Sequence, residues 1–132
     1  MYFISDAKMA DPEMAVAYAS KLICRNCRAI HLFGEHREYW EDIFDHAIVI
    51  GKLGLASHPK INDDSIPTMS HEIANVNEML FVMRWMDCNR NIGINSFYFI
   101  AFEGEAAFKL MQRVMDKAEK YFRESGDAGM AN

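Results

Sequence analysis

Two cysteines and a histidine lie close together in this sequence, at Cys24, Cys27 and His31. On an α-helix their spacing of i, i+3 and i+7 places all three side chains on one face. Thiolates and imidazoles bind soft metal ions, and paired thiols carry out redox chemistry. The stripe is therefore a candidate catalytic site if it is open to solvent.

The same stripe has a structural interpretation and a metal-binding one. Free cysteine is a small hydrophobic residue that is commonly buried, so the three side chains can simply be packing residues. Structural zinc needs a fourth ligand, for which the candidates are Cys88, Glu35, His36 and His71. Because the chain has no second Cys-x-x-Cys pair, we assign no metal ligand and expect no cofactor.

The third interpretation is a redox dithiol. The motif Cys24-x-x-Cys27-x-x-x-His31, with Glu13 upstream, resembles that of the alkylhydroperoxidase D-like proteins. The resemblance implies an all-α fold. It also implies that Cys24 and Cys27 are the peroxidatic and resolving thiols, and that His31 and Glu13 form a proton relay.

The composition of the chain argues against two functional classes, nucleic-acid-binding and membrane proteins. The chain has 132 residues, a net charge of −5 and scattered basic residues, which predicts a single domain over 1–132 and argues against nucleic-acid binding. We expect no membrane association, because no apolar run approaches the roughly 18 residues of a membrane span. The three cysteines and the absence of a secretion signal predict a cytoplasmic protein with reduced thiols.

The first half of the chain predicts a short strand and two helices. Residues 2–4 are aromatic and β-branched, as in strands. Asp11-Pro12 is a helix start from which apolar residues recur at helical spacing to Phe33, with Gly34 as the terminating residue. A second helix is expected from about Glu35, although its end over 47–55 could be a strand instead.

The second half predicts two more helices around a strand. A loop over 57–68 precedes a third helix at 69–89. The aromatic run 97–102 is typical of a buried strand, and a fourth helix follows from near Glu103. The tail 125–132 is expected to be disordered.

These elements predict a mostly α (α+β) fold, with about four helices in one layer-packed domain and a small β element that includes residues 97–102. A lone strand cannot satisfy its backbone hydrogen bonds, so this one needs a partner. The candidates are residues 2–5, residues 47–53 and the same strand of a second subunit.

A group of methionine and aromatic side chains supplies the leading functional hypothesis. These residues are a soft core or an apolar pocket or interface. They are Met79, Met83, Met86, Trp85, Phe99, Met111 and Met115. We expect a non-catalytic binding module that self-associates as a dimer and that binds an apolar small molecule or a partner helix. The alternative is a thiol-redox or metal-binding enzyme that uses the Cys24, Cys27 and His31 face.

Overall fold

The structure, a computed structural model, describes residues 1–23, 27–54, 66–72, 74–84 and 97–125. Four strands alternate with four helices along this part of the chain. The elements are β1 (Tyr2–Ser5), α1 (Pro12–Leu22), β2 (Ile30–Gly34), α2 (Arg37–Lys52), β3 (Thr68–Ser70), α3 (Val76–Val82), β4 (Phe99–Phe102) and α4 (Glu105–Ser125).

The strands form one parallel sheet in the order β3-β2-β1-β4. Strand β1 is one of the two inner strands, and its Tyr2 is level with His31 of β2 on one side and with Phe99 of β4 on the other. Of the three candidate partners for residues 97–102, the structure therefore has residues 2–5. Because all the strands run in one direction, the loops that follow them meet at one edge of the sheet, here called the carboxyl edge.

Helices cover both faces of the sheet, as a parallel sheet requires. On one face, α1 and α2 pack against Phe3, Leu32 and Phe102. On the other face, α3 and α4 pack against Tyr2, Ile4 and Phe33. Successive side chains of a strand point to opposite faces, so Tyr2-Phe3-Ile4 contributes to both halves of the core.

The predicted mixture of four helices with β structure is confirmed. The β element is larger than predicted, because β2 and β3 lie in segments that the sequence predicts to be helix or loop. The apolar run Ile30–Gly34 continues the spacing of α1, and periodicity alone cannot separate a short buried strand from a helix. With only three residues, β3 is too short to show an alternating pattern.

The first helix begins as predicted and ends earlier. The Asp11 carboxylate accepts a hydrogen bond from the Glu13 backbone N–H at 3.0 Å, and Pro12 is the first helical residue. The helix ends at Leu22 rather than near Phe33. Gly34 has the predicted positive φ, of 106°, but it ends strand β2.

The other helices differ at their boundaries. Residues 47–52 are helical in α2, which excludes a strand there. The predicted helix over 69–89 is wrong at its start, because Thr68–Ser70 is a strand and α3 begins only at Val76. Its predicted end at 85–89 lies outside the described residues, as do the loop residues 57–65 and most of the tail, 126–132.

The loop that follows β1 is held against the α1–α2 face by two aromatic side chains of α2. Trp40 Nε1 donates to the Ala7 carbonyl, and the Tyr39 hydroxyl donates to the Met9 carbonyl, both at 2.8 Å. Burial, with a smaller contribution from the Asp11 carboxylate, raises the pKa of Tyr39. The raised pKa extends the pH range over which the phenol can donate this bond, and the two bonds hold the loop against α2.

At the carboxyl edge, β1 and β2 approach closely at Gly34. A Cβ at this position would overlap the Ser5 carbonyl group, and the φ of +106° is one that L side chains rarely adopt. Both constraints favour glycine.

We predict that Gly34→Ala lowers the free energy of unfolding by about 3 kcal/mol, because it combines an unfavourable φ with overlap against a central strand. Urea denaturation monitored by circular dichroism measures the change. Gly54→Ala is the matched control, since Gly54 has a φ of +67° and a Cβ added there would have no atom within 4 Å. The control should lower the free energy of unfolding by about 1 kcal/mol. Equal decreases in the two variants would contradict the close approach of β1 and β2.

Candidate functional site

The structure separates the residues of the predicted thiol and imidazole stripe. Cys24 lies outside the described residues. Cys27 follows α1 in a non-helical segment, where it is buried and its thiol donates to the Ala29 carbonyl at 3.6 Å. His31 lies in β2 and is completely buried. The expectation that Cys27 and His31 share a helical face is therefore wrong, because the helix ends before either residue.

The all-α fold implied by the alkylhydroperoxidase D-like resemblance is not the observed one. A four-stranded parallel sheet forms the centre of the molecule. Glu13 lies in the first turn of α1 and His31 in a strand of that sheet. The motif therefore occurs here on a different scaffold.

His31 has a specific partner, His71, which follows β3. The distance from His31 Nδ1 to His71 Nε2 is 2.8 Å, so one ring donates an N–H to the lone pair of the other. The His31 ring is stacked on Tyr2 and the His71 ring on Phe33. This pair fixes the segment after β3 to β2.

One candidate metal ligand, His71, lies beside His31, but the pair is not part of a metal site in the described part of the chain. Among the described residues, no group of three or more His, Cys, Asp or Glu side chains is arranged to hold a metal ion. Glu35 and His36 lie between β2 and α2, and Cys88 is outside the described part of the chain.

Two of the predicted methionine and aromatic residues are core residues. Met79 and Met83 are buried between α3, α4 and the sheet. Met111 and Phe99 are partly buried against the same cluster, and Met115 is 45% exposed. Trp85 and Met86 lie outside the described residues.

The carboxyl edge holds a cleft with a volume of about 470 Å³. It is formed by the ends of β1 and β2, the segment between β3 and α3, and the first turns of α4. The residues that line it are Ile4, Asp6, Gly34, Glu35, Arg37, Glu72, Ala74, Ala106, Ala107, Lys109, Leu110 and Arg113.

Asp6 fixes the position of α4 beside this cleft. Its Oδ2 atom accepts a hydrogen bond from the Ala107 backbone N–H at 2.9 Å, and so it satisfies a donor at the helix N-terminus. Gly104 has a φ of +109°, and a Cβ there would overlap the Asp6 carboxylate. The end of β1 and the start of α4 therefore meet through a contact that needs both residues.

Acidic residues recur at the carboxyl edge because of the topology. Asp6, Glu35 and Glu103 each follow the last residue of a strand, and Glu72 lies two residues beyond β3. The helices start at this edge, and the positive ends of their dipoles favour nearby carboxylates. Sequence reasoning considered Glu35 only as a metal ligand and Glu103 only at a helix start, and it missed Asp6 and Glu72. An acid after each short apolar run is nevertheless a visible signal once the runs are assigned as parallel strands.

Together the fold and the cleft define a mixed α/β domain with a charged crevice at the carboxyl ends of its strands. No protein-family model, curated protein or solved structure matches the chain. No described helix has the length and apolar character needed to cross a membrane. The interpretation of the site therefore depends on its own geometry.

Proposed function

We propose that this protein is a non-catalytic binding domain that holds a small molecule in the cleft at its carboxyl edge. The supporting observation is the position of the cleft. In the order β3-β2-β1-β4, the chain runs from β1 outward to β3 and then returns to the other side of β1. In open α/β sheets, ligands bind outside the carboxyl ends of the strands at such a switch point.

The cleft favours a polar ligand over an apolar one. Six of its lining residues carry charge, namely Asp6, Glu35, Arg37, Glu72, Lys109 and Arg113. Met79 and Met83, which suggested an apolar pocket, are buried in the core. These charged side chains can bind the charged groups of a polar metabolite, while the aliphatic side chains contact its apolar part.

The alternative, an enzyme that uses Cys24, Cys27 and His31, has weaker support. The Cys27 thiol is buried and lacks the helix N-terminus that lowers a thiol pKa in redox pairs. His31 is buried against His71 rather than exposed in the cleft. The proposed cytoplasmic location, with reduced thiols, is compatible with the binding function.

Self-association is a second proposed property, supported by exposed apolar side chains near the edge strand β4. Tyr98, Phe108 and Met115 are 55%, 48% and 45% exposed. Phe108, Met111 and Met115 lie at i, i+3 and i+7 on α4, and hence on one face. Since β4 is at the end of the sheet order, a second copy of the chain could cover this face while its own β4 pairs with the strand.

We predict that Ala106→Trp abolishes ligand binding. Ala106 is an exposed residue of α4 that lines the cleft, so an indole there fills the space without changing the core. A thermal-shift screen of small polar metabolites should yield compounds that stabilise the unmodified protein by mass action and have no effect on the variant. Ala17→Trp, at an exposed position of α1, is the control and should keep all the hits. Compounds that stabilise both tryptophan variants equally would place the ligand elsewhere.

We predict that Phe108→Glu weakens the dimer at least about tenfold, because a buried carboxylate at the contact is unfavourable. Sedimentation equilibrium measures the dissociation constant. Ala17→Glu adds the same charge at an exposed position of α1, which packs on the other face of the sheet, and should leave dimerisation nearly unchanged. A monomeric unmodified protein at micromolar concentration would rule out self-association without affecting the ligand-binding proposal.

A further inference from the structure

The charged side chains of the cleft are divided by sign between two of its sides. The α4 side carries Lys109 and Arg113, which are one helical turn apart. The loops after β2 and β3 carry the carboxylates Glu35 and Glu72. Because opposite charges lie on different elements, the cleft has an electric field directed across it.

The remaining two charged residues weaken this division but do not reverse it, because each side keeps an excess of its own sign. The Asp6 carboxylate accepts from the Ala107 N–H at 2.9 Å. The Arg37 guanidinium donates to the Gly34 carbonyl at 3.4 Å, on the acidic side of the cleft. The Asp6 carboxylate therefore bonds the first turn of α4, and the Arg37 guanidinium offsets part of the charge of the two glutamates.

The two sides do not neutralise each other. Within the described residues no ion pair crosses the cleft, and Lys109 instead pairs with Glu105 of its own helix at 2.9 Å. Arg113 is exposed and forms no hydrogen bond or ion pair with any described residue. Its guanidinium is thus available to a ligand carboxylate, which arginine binds through two parallel N–H···O bonds.

The other side chains of the cleft are aliphatic. They belong to Ile4, Ala74, Ala106, Ala107 and Leu110. The volume of about 470 Å³ is within the range of small-molecule sites. The cleft therefore has an anionic side, a cationic side and an apolar lining, in a space that suits an amino acid or a dipeptide.

We propose that the ligand is a small zwitterion, either a free amino acid or a short peptide with free termini. Its carboxylate binds Arg113, its ammonium group binds Glu72 and Glu35, and its aliphatic part contacts Leu110. A simple anion would be repelled by the glutamates, and a simple cation by Arg113 and Lys109, so only a ligand with both charges satisfies both sides. This inference rests on the proposed ligand-binding function and specifies its ligand class.

Isothermal titration calorimetry of the full chain tests the proposal with defined probes. The probes are the proteinogenic amino acids and glycyl-L-leucine, followed by the N-acetyl and C-terminal amide derivatives of whichever compound binds most tightly. Removing either ligand charge should weaken binding roughly tenfold or more. Arg113→Gln should weaken binding of the zwitterion but not binding of the amide derivative, which lacks the carboxylate. Glu72→Gln should weaken binding of the zwitterion but not binding of the N-acetyl derivative, which lacks the ammonium group.

Lys120→Gln on α4 and Glu13→Gln on α1 are the matched controls, since both residues are exposed and neither lines the cleft. Both controls should bind as the unmodified protein does. An N-acetyl derivative that binds as tightly as the zwitterion, or no binding of any probe at millimolar concentration, overturns the zwitterion inference. The proposed function fails separately, if the metabolite screen also gives no compound whose effect Ala106→Trp removes.

Discussion

The parallel pairing of β1 with both of its neighbours determines where the helices and the cleft lie. The strand is completely or almost completely buried, and its side chains supply both halves of the core. Parallel pairing requires helices on both faces, and it brings the ends of all the strands to one edge. The glycines at 34 and 104 allow β2 and α4 to approach the end of β1. The cleft is a direct consequence of this arrangement.

Much of the fold could be predicted from local signals. The Asp11-Pro12 helix start, the amphipathic second helix and the aromatic strand each carry a signal within a few residues, and all three are present. The sheet could not be predicted in the same way. The buried strand Ile30–Gly34 has no polar alternation, because both of its faces are covered. Its apolar run therefore reads as a continuation of the helix before it, and the predicted position of His31 is wrong for the same reason.

The candidate site, like the sheet, could not be predicted from local sequence signals. Glu35 and Glu72 come together with Arg113 only through the sheet order, and no spacing in the sequence relates them. The cysteine and histidine motif stands out because its residues are close in sequence, yet chain proximity does not ensure a shared surface. Cys27 and His31 serve packing and a histidine pair instead. Asp6 accepts a hydrogen bond from the first turn of α4 and, with Glu35 and Glu72, lines the cleft.

Chemical-shift mapping is the sharpest test of whether the carboxyl edge binds a ligand. In a ¹⁵N-labelled sample titrated with the tightest-binding zwitterion, we expect the largest amide shifts at Asp6, Glu35, Glu72 and Ala107, which surround the cleft. The amino ends of the strands, around Tyr2 and Ile30, should shift little. Shifts confined to those amino ends, or to the exposed face at Phe108 and Met115, would show that the ligand does not bind at the carboxyl edge.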